Sequence, residues 1–244
     1  MRLAIFSDIH SNLEALQAFI DHSFKKKVNL YVCLGDVVGY GANPNSCINT
    51  LQSLQGSHFI VGNHDNAATG ANHNMVKDAA AAILWTKERL TQNSLDFLKN
   101  MREKIELSNS LFCHANPCGT SDWYYIGEKS FISRTFYLTK VKTLFAGHTH
   151  VASVITRKNF LCFYIRKPED GAVIPAASLN RQIFNCGSIG QPRDGDPRAS
   201  YIIYDTDKNV VEFYRVTYNY DLAAKKILDA GLPKSLALRL AKGS

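Results

Sequence analysis

A four-layer α/β (α+β) sandwich, with two mixed β-sheets face to face and helices outside, is the architecture this sequence predicts. Three observations carry it. The first half alternates short apolar runs with amphipathic stretches of helical period, and the second half is rich in short strand-like runs. No linker, repeat or low-complexity tract divides residues 1–244, so one domain is expected. A chain of 244 residues, 45% hydrophobic and 20% charged, is large enough to bury the core such a fold needs.

Leu3 to Ser7 reads as the first strand. A helix follows from about Asn12 to Phe24, with Leu13, Leu16, Phe19 and Ile20 on one face and Asn12 as its N-cap. Leu30 to Leu34 is a second strand, Asn45 to Leu54 a helix and His58 to Val61 a third strand. Helices are expected from about Met75 to Leu90 and from Ser94 to Met101, the latter turning Leu95 and Leu98 inward. Strands then read at Ser110 to Cys113, Thr143 to Ala146, Ala152 to Thr156, Leu161 to Ile165, Gln182 to Asn185, Tyr201 to Tyr204 and Val210 to Val216. The segment Asp205 to Asn209 is a turn between the last two. Asp221 to Ala230 reads as a helix closed by Gly231, with Pro233 just beyond.

Composition narrows the function classes. No apolar run approaches the roughly 20 residues needed to cross a bilayer. The opening Met1-Arg2-Leu3-Ala4-Ile5-Phe6-Ser7-Asp8 meets an acid too soon for a signal peptide, so no membrane partner and a cytoplasmic location are expected. Six cysteines are irregularly spaced without a CxxC, and Cys33, Cys113 and Cys162 fall in strand-like runs. Reduced core thiols are the reading. The net charge of +7 suits anionic substrates and leaves nucleic acid open. Much of it, however, sits in clusters such as Lys25-Lys26-Lys27 and Lys225-Lys226, typical of solvated helix ends. Nothing in the sequence indicates an oligomeric state.

The chemistry lies in five short blocks, each following a strand-like run. They are Asp8-Ile9-His10, Gly35-Asp36, Gly62-Asn63-His64-Asp65, His114 and Gly147-His148-Thr149-His150. Strand ends that open into loops place side chains at rigid positions. Asp8 and His10 are expected to point the same way, as residues two apart on extended chain do, and His148 and His150 repeat that spacing. Carboxylate, amide and imidazole groups gathered this way suit a pair of divalent cations, and paired cations suit phosphate ester hydrolysis.

These blocks, with the second extended to Gly35-Asp36-Val37-Val38-Gly39, resemble the full signature of calcineurin-like metallophosphoesterases over nearly the whole chain. His114-Ala115-Asn116-Pro117 and Asn185-Cys186-Gly187-Ser188-Ile189-Gly190-Gln191-Pro192-Arg193 are similar to the small prokaryotic phosphoesterase branch, related to dinucleoside polyphosphate hydrolases. The resemblance implies that Asp8, His10, Asp36 and His150 hold one metal, and that Asp36 bridges to a second held by Asn63, His114 and His148. It implies manganese or iron, with zinc or nickel as alternatives, a choice the mixed oxygen and nitrogen donors favour over magnesium. Cations about 3.5–4 Å apart would turn a bridging water into hydroxide near neutral pH for in-line attack on phosphorus. His64, beside Asn63, would contact the phosphate or protonate the leaving group, with Asp65 placed among the catalytic residues and Asn63 also near the substrate.

Two departures matter. Protein phosphatases of this superfamily continue the second block as Gly-Asp-x-x-Asp-Arg-Gly, whereas this chain has Gly39-Tyr40-Gly41 after Val38. The carboxylate that orients the catalytic histidine and the arginine that clamps phosphate are both missing there, and the third block ends in Asp65 rather than Glu. Protein phosphatases and symmetrical diadenosine tetraphosphate hydrolases are therefore disfavoured. Substrate contacts are expected instead from Tyr40, from Arg193 and Arg198 in the Gln191 to Arg198 loop, and from Trp123, Tyr124 and Tyr125 as stacking surfaces. The expected activity is a two-metal phosphoesterase acting on a small phosphodiester, phosphomonoester or dinucleoside polyphosphate. A nuclease and a non-catalytic scaffold are the alternatives.

Overall fold

The computed structural model describes residues 1–72, 74–159, 162–176 and 180–244. In chain order the first half contains β1 (Arg2–Phe6), α1 (Leu13–Lys25), β2 (Leu30–Cys33), α2 (Pro44–Gln52), β3 (Ser57–Phe59), α3 (Asn63–Ala68), α4 (Lys77–Lys87) and α5 (Gln92–Lys99). There follow β4 (Lys104–Leu107), β5 (Ser110–Cys113), a 3-10 turn (Gly119–Ser121), α6 (Lys129–Leu138), β6 (Thr143–Ala146), β7 (Ser153–Arg157) and β8 (Phe163–Arg166). The chain continues with β9 (Val173–Pro175), β10 (Gln182–Asn185), β11 (Ala199–Asp205), β12 (Val210–Val216), α7 (Tyr220–Asp229) and α8 (Lys234–Leu238).

The strands form two mixed six-stranded sheets, β3-β2-β1-β11-β12-β9 and β4-β5-β6-β10-β7-β8. In the first, β1, β2 and β3 are parallel; in the second, β5, β6 and β10 are. Alternation along β1 sets the layers. Leu3 and Ile5 face the second sheet, packing with Phe112, Phe145 and Phe184, while Ala4 and Phe6 face Leu16 and Phe19 of α1. On the far side of the second sheet, Leu111, Leu144 and Ile183 meet Ile132 and Phe136 of α6. Helix, sheet, sheet and helix are thus stacked as expected. The Asn12 side chain accepts from Ala15 N at 3.1 Å, which caps α1.

Five elements have no counterpart in the sequence reading: α3, β4, α6, β9 and α8. The helix α6 buries little beyond Ile132, Thr135 and Phe136, too sparse a stripe to mark it. Of the strand expected from Leu161, that first residue lies outside the described ones; the strand runs over Phe163–Arg166. Cys33, Cys47, Cys113 and Cys186 are free buried thiols, but Cys162 is exposed at the sheet edge rather than in the core. Among the described residues no helix is long and apolar enough to cross a membrane.

Candidate metal centre

All five ligand blocks follow the C-terminal ends of parallel strands: β1, β2 and β3 in one sheet, β5 and β6 in the other. The two sheets therefore deliver their loops to one edge of the sandwich. The loops interlock through the backbone, with Asp8 N donating to Gly35 O and His10 N to Asp36 O, both at 2.9 Å, and Gly147 N to His114 O at 2.9 Å. The loops after β2 and β3 also approach tightly at Gly62, where a β-carbon would stand 2.1 Å from Asp36 Oδ1.

Buried donors form three overlapping groups, two made of expected ligands alone and a third that joins His64 to His10 and Asp36. The ligand atoms of Asp8, His10 and His150 lie within 4.8 Å of one another, and so do those of Asp36, His114 and His148. Asp36 stands between the groups, its Oδ2 3.6 Å from His10 Nε2 and 3.4 Å from His114 Nε2. Asn63 Oδ1 is 3.3 Å from the same His114 nitrogen. All seven expected ligands are thus brought together. The i, i+2 spacing works differently from expectation, because Asp8, His10, His148 and His150 have φ of 56°, 49°, 66° and 59°. These are left-handed turns, not extended chain, and they send His148 and His150 to different groups.

The imidazoles are set for metal. His10 Nδ1 faces Val38 O at 3.1 Å, His114 Nδ1 faces Leu34 O at 2.9 Å and His150 Nδ1 faces Gln191 O at 2.6 Å. A carbonyl only accepts, so each Nδ1 carries a proton, and in the neutral ring Nε2 is left to offer a lone pair to the centre. His148 is reversed, with Nε2 on Trp123 O at 2.9 Å and Nδ1 left over. The Nε2 atoms of His10 and His150 face each other at 3.2 Å, and the buried Asp8 Oδ1 receives no hydrogen bond. Lone pairs converging on one point are a donor set that fits a cation.

Burial and mutual charge divide the proton affinities. Burial, with His114 next in weight, pushes His148 down to about 3. Burial also holds His10 well below the usual imidazole range. Burial works against a charged His114 too, but Asp36, Asp8 and Asp65 together outweigh it and raise that imidazole to about 9. Burial opposes the ionised forms of Asp8 and Asp36; His150 acting on Asp8, and His114 and His64 on Asp36, reverse this and hold both carboxyls low.

His64 lies at the edge of the centre. Its ring packs on His10 (4.8 Å) and Tyr40 (4.5 Å), its backbone N donates to Asp36 Oδ1 at 2.8 Å, and its buried Nδ1 has no hydrogen-bond partner. Among the described residues no carboxylate bonds its ring, as the altered second block implied. Asp65 is engaged by the backbone. Its Oδ1 accepts from Val37 N (2.9 Å) and Val38 N (3.1 Å) and its Oδ2 from Gly62 N (3.0 Å), so it ties two loops together.

The substrate-contact candidates also divide. Tyr40 is 7% exposed between His10 and His64, and Arg193 Nη2 reaches its hydroxyl at 3.4 Å. Tyr125, 52% exposed, stacks on His148 with centroids 4.1 Å apart, and Trp123 meets His114 edge-on at 5.8 Å. Two candidates turn away. Tyr124 packs on Phe131 and bonds Thr135, and Arg198 is held by Asp196 and Asp170, because those partners lie nearer than the centre. The sequence reading gave Gln191 only as the start of the loop and missed Arg239, whose position no local pattern marks; Arg239 Nη1 lies 3.4 Å from Gln191 Oε1.

The profile of the calcineurin-like phosphoesterase superfamily domain matches residues 1–209. The chain is 36% identical to an uncharacterised protein of Methanocaldococcus jannaschii over 247 aligned positions, covering 99% of this chain and 98% of that one. It superposes on the crystal structure of a metallophosphoesterase from Sphaerobacter thermophilus with a TM-score of 0.88 and 36% identity, over 100% of this chain and 99% of the other. A hypothetical protein of Pyrococcus horikoshii OT3 shares the fold at a TM-score of 0.80 and 16% identity, over 100% and 98% of the two chains. Similarity that runs the length of the chain, at this identity and on this fold, makes it a metallophosphoesterase of the calcineurin-like phosphoesterase superfamily.

Proposed function

We propose that this metallophosphoesterase works with two metal ions on a small phosphodiester, phosphomonoester or dinucleoside polyphosphate. The position of Asp36 carries the reading: one buried carboxylate stands within 3.6 Å of histidines from both donor groups. Asp8, His10 and His150 would share one ion with it, and Asn63, His114 and His148 the other. Manganese or iron fits this donor set, with zinc or nickel as alternatives. When bound, the pair supplies an activated water and neutralises phosphate charge.

The protein's own groups do the rest. Asn63 and His64 flank the phosphate position. Burial, against Asp36, keeps His64 down at about 4 in the metal-free protein, and a bound anionic substrate would favour its protonated form. It then holds that proton toward the leaving oxygen. Tyr40 and Tyr125 wall the mouth, where Tyr125 offers an open ring face to a nucleobase or aryl group.

The test is turnover of bis(p-nitrophenyl) phosphate and p-nitrophenyl phosphate with Mn²⁺ added and then chelated, beside Asp36→Asn. Chelation should abolish turnover, and Asp36→Asn should lower kcat by about a hundredfold or more, the scale of losing a main electrostatic contributor. Turnover that survives both overturns the reading.

A further inference from the structure

The centre has a polar neighbour that its chemistry does not use. Gln191, 2% exposed, accepts from His150 Nδ1 through its main-chain oxygen and turns its side-chain oxygen the other way. That Oε1 receives Arg193 Nη2 at 2.7 Å, Arg193 Nε at 3.3 Å and Arg239 Nη1 at 3.4 Å. Two guanidinium groups thus converge on one neutral atom. Among the described residues neither forms an ion pair with a carboxylate. The loop's own acids are engaged elsewhere, Asp194 by Arg215 and Asp196 by Arg198. Like charges gathered without a counter-charge repel, and an anion between them would relieve that repulsion while filling two forks built for phosphate oxygens.

We propose that Arg193 and Arg239, held by Gln191, form a second anion subsite that takes the phosphate adjoining the one hydrolysed. The proposal rests on the phosphoesterase reading and narrows it to substrates with two or more linked phosphates. Its place supports this. Arg193 N donates to His150 O at 3.1 Å, and Arg193 Nη2 lies 3.4 Å from the Tyr40 hydroxyl, whose ring touches His10 and His64. The subsite is therefore one residue from the metal centre, on the side where the second block has lost its arginine. Arg239 comes from the C-terminal turn of α8, beyond the stretch matched by the family profile. That segment is fastened over the site, with Gly195 N donating to Gly243 O at 2.9 Å and Lys226 paired with Glu14.

The test separates binding from turnover. Inorganic tripolyphosphate and orthophosphate are titrated calorimetrically into the full chain, stripped of metal by chelation and dialysis. Wild type should bind tripolyphosphate at least about tenfold tighter than orthophosphate. Arg193→Gln and Arg239→Gln should each lose about tenfold or more on tripolyphosphate and less on orthophosphate, and Arg239→Lys should recover part of the loss. Thermal unfolding confirms that the variants are folded. Equal tripolyphosphate affinity in wild type and both Gln variants overturns the subsite. In the Mn²⁺-loaded enzyme, Arg239→Gln should lower kcat/KM more for an ester with linked phosphates than for bis(p-nitrophenyl) phosphate. Arginine-dependent tripolyphosphate binding without turnover of any ester would sink the two-metal hydrolytic reading and leave only an anion site at Arg193 and Arg239.

Discussion

Asp8, His10, Asp36, His148 and His150 hold backbone angles that residues with side chains seldom adopt, φ running from 49° to 66°. Each such turn costs about 1 kcal/mol or more, and it persists only where the surroundings dictate it. The gain is placement: left-handed turns bring Asp8 and His10 to one donor group and divide His148 and His150 between the two, which an extended strand end does not. Gly39 serves His64 in a related way. Its φ is 92°, and a β-carbon there would stand 2.4 Å from His64 Nδ1. Gly39→Ala should therefore displace the imidazole without removing a ligand. The expected result is at least a tenfold fall in kcat with two metals per chain retained, read by steady-state kinetics beside metal analysis. Full turnover by that variant would take His64 out of the reacting position.

Between elements, the key tie is Asp65 at the start of α3, which joins the loop after β2 to the loop after β3 through three backbone N–H groups. Asp65→Ala leaves those donors buried without an acceptor and should cost about 3 kcal/mol or more, measured by denaturant unfolding. Asp65→Asn, which keeps one acceptor oxygen, should cost less; equal stability of both variants with wild type would refute the tie. The same region shows what was legible in the sequence. Strands β1, β2, β5, β6 and β10 announced themselves as apolar runs ending at polar or glycine residues, so the ligand blocks and their strand-end placement could be read directly. The helix α3 could not, because its six residues Asn63–Ala68 are the ligand block itself, with no apolar stripe. Helix α6 hid for want of a wide buried face, and Arg239 because nothing along α8 indicates that it meets a loop 48 residues earlier in the chain.

For the molecule as a whole, the histidines make stability depend on pH. In metal-free protein His10, His64 and His148 are depressed below the ordinary 6.5, so the unfolded chain takes up protons that the folded one refuses as pH falls below that value, and stability is lost. His114, raised to about 9, contributes fully below 6.5 and loses its contribution as pH rises through 9. Asp65 runs against the first three. Burial and Asp36 raise it to about 7, so its proton favours the folded state between 3.8 and 7. Three groups against one leave the optimum near neutrality. The unfolding temperature of chelated protein should peak between about pH 6.5 and 7.5, and a steady rise from pH 5 to 9 would contradict these assignments. The strand order carries another consequence, one of timing. β1 is paired on one side with β2 and on the other with β11, which begins at Ala199. The candidate ligands all lie between Asp8 and His150. During synthesis, then, the whole set leaves the ribosome while the strand that clamps the first of them is still unmade. Any cation captured at that stage would meet loose side chains and be sorted by intrinsic donor affinity and abundance; the geometry of the finished site could add its own selection only once the nascent chain has closed its sheet.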